Sequence, residues 1–254
     1  MTPRRAWTAF AGVTAAVLLA PGALYGWAWL GRAERTDEVR LNHPVTTVRL
    51  DLPEGSVRVR PGQAGRVRLR SSLSWNLREP RVEEFWRGDT LTVRVTRSSA
   101  QLDGLAPDVS LDLEIPPSVS VDARLGSGSI DVAHIRGDLD LTGASGSLTV
   151  ADSSGALRLR TTSGEIRANA LTSRTVQART ASGSTHLEFV SAPRQVTAEA
   201  DSGALSITVP PNSRYRIEPH VPTGGLRTAQ GLGDPGANRE IAVRIGSGSA
   251  TIGY

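Results

Sequence analysis

From Val45 onward apolar residues recur at every second position. Val48-Arg49-Leu50-Asp51-Leu52, Val57-Arg58-Val59-Arg60, Val67-Arg68-Leu69-Arg70, Leu91-Thr92-Val93-Arg94-Val95 and Val109-Ser110-Leu111-Asp112-Leu113 alternate cleanly between Gly, Pro or polar runs. This period of two predicts strands with one buried face. The least regular stretch, Ser72 to Arg87, reads as a long loop or one poorly patterned strand, with Trp75, Phe85 and Trp86 expected to plug the core. Before Val45 the pattern changes. Arg4 and Arg5 precede an uncharged run from Ala6 to Gly31, and a charged stretch without a clean period follows from Arg32 to Pro44.

The second half repeats itself. Ser-Gly recurs as Ser127-Gly128, Ser145-Gly146, Ser163-Gly164, Ser182-Gly183 and Ser202-Gly203, so successive glycines are 18, 18, 19 and 20 residues apart. A period near 20 built from strands predicts a solenoid. Two and four residues after each glycine run the columns Ile130, Leu148, Ile166, Thr185, Leu205 and Val132, Val150, Ala168, Leu187, Ile207. Half a coil away run Leu139, Leu157, Val176, Val196 and Leu141, Leu159, Ala178, Ala198. These four columns should point inward, giving two short strands per coil, with Gly128, Gly146, Gly164, Gly183, Gly203 and Gly248 as structural corner glycines. The first β segment is expected to cap one end of the stack, and Glu240 to Tyr254 to supply its last coil.

The same register sorts the outward residues. Asp140 falls beside Arg158 and Arg179 beside Glu199, as expected for cross-strand ion pairs, while Arg158, Arg160 and Arg179 form a candidate basic binding patch. No outward column gathers the several carboxylates that glycan cleavage needs, so no catalytic residue is assigned. His43, His134, His186 and His220 lack metal-ligand spacing, and the aspartate of a calcium-binding repeat does not recur in register. No metal or other cofactor is expected.

Composition narrows the picture further. The chain of 254 residues is 39% hydrophobic but only 4% aromatic, and 29 arginines stand against 25 acids, for a net charge of +4. Acids are dispersed among the arginines and stacking residues are scarce, which argues against nucleic acid as a partner. The absence of cysteine removes any disulfide framework or thiolate metal site.

The motifs also resemble a family. Gly55-Ser-Val-Arg-Val59, Val109-Ser-Leu-Asp-Leu-Glu-Ile-Pro116, the repeated units typified by Thr162-Ser163-Gly164-Glu165-Ile166, and the closing Gly246-Ser247-Gly248 are similar in order to the bacterial putative adhesin family with a DUF4097 domain. The resemblance runs from about Val45 to Tyr254 and implies a membrane-anchored or secreted protein. The chain departs from the family where Ser129, Ser147 and Ala204 stand in place of the acid that commonly follows Ser-Gly.

These readings combine into an all-β, β-solenoid or β-helix-like domain with about 18–20 residues per coil, preceded by one N-terminal transmembrane or signal helix. The expected divisions are 1–31, signal peptide or transmembrane anchor; 32–44, juxtamembrane linker; and 45–254, a single solenoid domain, with 45–115 as N-terminal segment and cap and 116–254 as Ser-Gly coils. Ala6 to Gly31 is long enough as a helix to cross a hydrocarbon core of roughly 30 Å. Tyr25, Trp27 and Trp29 favour a retained single-pass anchor with an extracytoplasmic C-terminal domain, against secretion after cleavage near Ala20 to Ala23. The function expected is a non-enzymatic, adhesin-like binding module whose partner is an envelope component or a membrane protein. The alternatives are a regulatory or envelope-stress accessory module and, third, a glycan-active enzyme.

Overall fold

The computed structural model describes residues 33–41, 44–75, 79–96 and 107–254. The helix expected within 1–31 lies outside these residues. None of the described residues forms a helix long and apolar enough to cross a membrane. What they form is all β. The first strands are β1 (Ala33–Leu41), β2 (Thr47–Pro61), β3 (Val67–Trp75), β4 (Arg81–Arg87), β5 (Thr90–Thr96), β6 (Asp108–Ile115) and β7 (Ser120–Ala133). They continue as β8 (Leu139–Ala151), β9 (Leu157–Leu171), β10 (Thr175–Phe189), β11 (Gln195–Thr208), β12 (Arg216–His220), β13 (Thr223–Thr228) and β14 (Glu240–Gly253).

Seven long strands share one plan and lie parallel in the order β2-β7-β8-β9-β10-β11-β14, a solenoid-like ladder. Each turns at a glycine. Gly55, Gly128, Gly146, Gly164, Gly183, Gly203 and Gly248 have φ between +120° and +144°, a region closed to side chains by their Cβ. The two short strands expected per coil are therefore one bent strand, because the backbone keeps its ladder bonds through the glycine. Gly55 belongs to the same row, paired with Gly128, so β2 is a full repeat unit rather than part of a separate cap.

Bending brings the two halves of each strand face to face over the core. The Thr180 and Thr185 hydroxyls meet across the bend at 2.9 Å, and a Cβ on Gly143 would touch Leu148 Cδ2 at 3.4 Å. Carried two residues outward, the same register opposes Leu141 to Val150, Leu159 to Ala168, Ala178 to Leu187 and Ala198 to Ile207, all buried. In the last three a large side chain meets a small one, and which half supplies the large one changes between β9 and β10. In these three coils the summed side-chain volume stays nearly constant while the composition of each inward column varies, as close packing requires.

Both ends of the ladder are closed by split coils. Against β2, β5 pairs with the first half and β6 with the second. Against β14, β12 and β13 divide the two halves in the same way, with Gly224 beside Gly248. Glu240 to Tyr254 is thus not the last coil. The chain leaves β11, builds the outer β12 and β13, and returns to insert β14 between them and β11. Pro219 in β12 lacks an N–H and suits an edge better than a position paired on both sides.

The expected linker 32–44 contains β1, which pairs antiparallel with β3 along its whole length. Its periodicity is weak because an edge strand buries little: Glu34, Arg35, Thr36, Glu38 and Arg40 are all exposed. Charge of this kind also discourages pairing with a further chain. The irregular Ser72 to Arg87 stretch resolves into the end of β3 and β4. Trp75 packs against the core, but Phe85 is 50% exposed and Trp86 37%, so neither is a core plug.

Glu84, opposite Val93 on the core-facing side of β4, is affected by the same edge geometry. Partial burial holds its carboxyl above the ordinary glutamate value. Folded protein consequently keeps this proton to higher pH than unfolded chain, and stability falls as pH rises through the usual carboxylate value and on through the raised one. Glu84→Gln should flatten this fall and leave the variant more stable than wild type at neutral pH. Thermal midpoints of the two proteins measured from about pH 4 to 7 check this, and parallel curves would contradict it.

Candidate binding surface

The bend decides what the ladder presents to solvent. With glycine at every corner and Gly126, Ala144, Thr162, Ala181, Asp201 and Gly246 two residues before it, the outer edge of the stack is almost bare of bulky groups. Along it Ser127, Ser145, Ser163, Ser182, Ser202 and Ser247 stand in register from strand to strand. All six are exposed. At a strand spacing of about 4.8 Å they form a rank of hydroxyls roughly 24 Å long. The Ser202 and Ser247 hydroxyls lie 3.2 Å apart, close enough for one to donate a hydrogen bond to the other. Behind the glycines a second rank reads Ser129, Ser147, Glu165, Ser184, Ala204 and Ser249. Each hydroxyl can donate and accept, so the ridge offers a regular hydrogen-bonding surface, charged only at Asp201 and Glu165.

The candidate patch lies on the outer face of the first strand halves. Arg160 is beside Arg179, and Arg158 beside Gln177. Arg160 reaches diagonally to Asp140 at 2.9 Å, although Asp140 directly faces Arg158. Arg179 pairs with Glu199 at 3.5 Å, and Glu199 also meets Arg244 at 3.6 Å. The three arginines are near neighbours, but two are already matched by acids in an exposed ladder, each pair contributing well under about 1 kcal/mol.

No group of three or more His, Asp or Glu side chains suited to a metal gathers among the described residues. His134 lies 3.4 Å from Asp152. Both occupy left-handed backbone positions, φ +58° and +49°, at the turns between coils. The pair is exposed and lies past the strand ends, whereas the serine ridge lies at the corners in mid-strand.

Sequence reasoning overlooked a second cluster of arginines, on β1, β2 and β3. The Val57-Arg-Val-Arg60 and Val67-Arg-Leu-Arg70 alternations announced that these side chains point outward. They did not reveal that β6 would be threaded between β2 and β3.

A parallel ladder of bent strands, cornered by glycine and displaying repeated outward columns, defines a β-solenoid-like repeat protein. Residues 109–230 match the family described as Toastrack DUF4097, which bears out the resemblance read from the motifs over β6 to β13. No curated protein matches the chain. Among solved structures, a putative cell adhesion protein from Clostridium sporogenes is 10% identical, with 87% of this chain and 99% of that one covered and a TM-score of 0.36. A putative adhesin from Bacteroides fragilis is 10% identical, with 87% and 97% covered and a TM-score of 0.39. Another from Parabacteroides merdae is 11% identical, with 86% and 95% covered and a TM-score of 0.40.

Proposed function

We propose that the chain is a non-enzymatic binding module of the cell envelope, held at the membrane by its N-terminal apolar run and displaying its β ladder outside. The observation that carries this reading is the in-register repetition of outward side chains, above all the serine ridge. A surface that repeats one chemical group at strand spacing suits an extended partner able to bond at many points, since individually weak contacts then sum without a deep pocket. An enzyme concentrates dissimilar groups on one reacting atom, the opposite arrangement.

Tyr254 is 48% exposed at the end of the chain, so a tag fused there is expected to leave the fold undisturbed. On intact cells that tag should be removed by added protease, and untagged product should sediment with membranes. Protection until lysis would place the domain inside and end this reading; release into the medium would replace the anchor by a cleaved signal.

A further inference from the structure

The outer face of β2-β6-β3-β1 carries a grid of charge assembled from segments far apart in the sequence. One row runs Arg60, Glu114, Arg68, Arg40 and the next Arg58, Asp112, Arg70, Glu38, each residue facing its neighbour across adjacent strands. The grid lines a concavity of about 400 Å³. A second concavity of about 300 Å³ adjoins it, sharing Arg40, Arg68 and Glu114 and adding Gln63 and Arg66. Six arginines thus face three carboxylates, an excess of three on one face of a chain whose whole net charge is +4.

The acids are engaged in holding particular guanidinium groups. Arg58 bonds Asp112 at 3.2 Å and Arg68 bonds Glu114 at 3.0 Å. Glu38 accepts from Arg40 at 2.8 Å and lies 3.4 Å from Arg68. Arg66 is held by the Gln63 side chain at 2.9 Å. Arg60 and Arg70 have no ion pair or hydrogen bond among the described residues, although Arg60 faces Glu114 and Arg70 stands between Asp112 and Glu38. The result is a groove in which some arginines are held in place by acids while two keep their full donor capacity. Guanidinium groups so arranged match the oxygens of phosphate esters, which take two parallel hydrogen bonds from one fork.

We propose that this groove binds a polyanionic phosphate ligand, with Arg60 and Arg70 as its primary contacts and Arg40, Arg58 and Arg68 as the positioned rim. This goes beyond the binding-module reading and does not depend on which way the domain faces. The ligand chemistry is that of phosphate groups carried either by a soluble phosphate chain or by an anionic lipid headgroup.

The test uses the full chain in neutral detergent, titrated calorimetrically with inorganic tripolyphosphate and, separately, with detergent micelles doped with a short-chain phosphatidylglycerol. Wild type should bind at least one probe, with affinity falling as salt is raised. The R60Q/R70Q variant should bind roughly tenfold or more weakly, the scale of losing charge-assisted hydrogen bonds. R174Q/R194Q, at exposed arginines in the turns before β10 and β11, should bind like wild type. Binding to tripolyphosphate alone identifies a soluble phosphate chain, and binding to doped micelles alone identifies a headgroup. Absence of binding to both, or equal binding by wild type and R60Q/R70Q, overturns the proposal. Circular dichroism and an unchanged thermal midpoint establish that R60Q/R70Q is folded; if it is not, R60K/R70K, which keeps the charge but loses the fork, should still bind more weakly than wild type.

Discussion

Gly164→Ala should destabilise the domain by on the order of 3–5 kcal/mol, enough to consume much of the stability of an ordinary domain. Two separate costs combine. At φ +144° an alanine pays steric strain of about 1–3 kcal/mol wherever it stands. In addition, the new Cβ would run into the backbone carbonyl oxygen of Gly146 in the preceding coil. That oxygen cannot withdraw without opening the ladder between β8 and β9, and the Cβ on every other corner from Gly128 to Gly248 would meet the preceding corner in the same way. Denaturant unfolding of the variant against wild type measures the loss. Gly225→Ala is the natural control, since a Cβ there would meet nothing within 4 Å; it should lie within about 0.5 kcal/mol of wild type. Equal effects at the two positions would show that the corner tolerates a side chain.

The corner row explains why so much of the fold was legible in advance. A steric demand that recurs once per coil leaves glycine at a fixed period, and the inward columns then follow by counting from it. The ends were not legible for the complementary reason. β1 lies at an edge, where half-burial blurs the alternation, and β14 takes its place in the stack only after the chain has passed outside it through β12 and β13. Position along the sequence carries no record of such an insertion: β14, with Ile241, Val243 and Ile245 buried, reads as one more coil wherever it stands, while β12 and β13 turn little more than Ile217 and Leu226 toward the core. The arginine grid was hidden in the same way. Arg58 and Arg60 were visible as outward residues of one strand and Asp112 and Glu114 of another, but their adjacency rests on β6 pairing in parallel with the second half of β2. The patch of Arg158, Arg160 and Arg179 was legible because it lies within uninterrupted coils, where register follows the repeat. What the repeat did not disclose was the diagonal reach of Arg160 to Asp140, a matter of side-chain length rather than strand pairing.

The exchange of large and small residues between strand halves leads to the second large effect. Leu187 is fully buried opposite Ala178, whereas one coil earlier Leu159 opposes Ala168. Leu187→Ala should cost about 2–5 kcal/mol, by lost burial and by the cavity left between two small side chains. Ala178→Leu should cost about 1–3 kcal/mol, since two leucines would compete for space filled by one. If each coil is limited by its summed volume, the double variant A178L/L187A restores that volume with the large residue on the other half, the arrangement already present in β9. It should then lie within about 1.5 kcal/mol of wild type, well above the sum of the single losses. A double-mutant cycle on unfolding free energies reads this coupling directly. Additive losses would show instead that each inward column is packed along the stack, coil against coil, and that the pairing across the bend carries no energetic weight of its own.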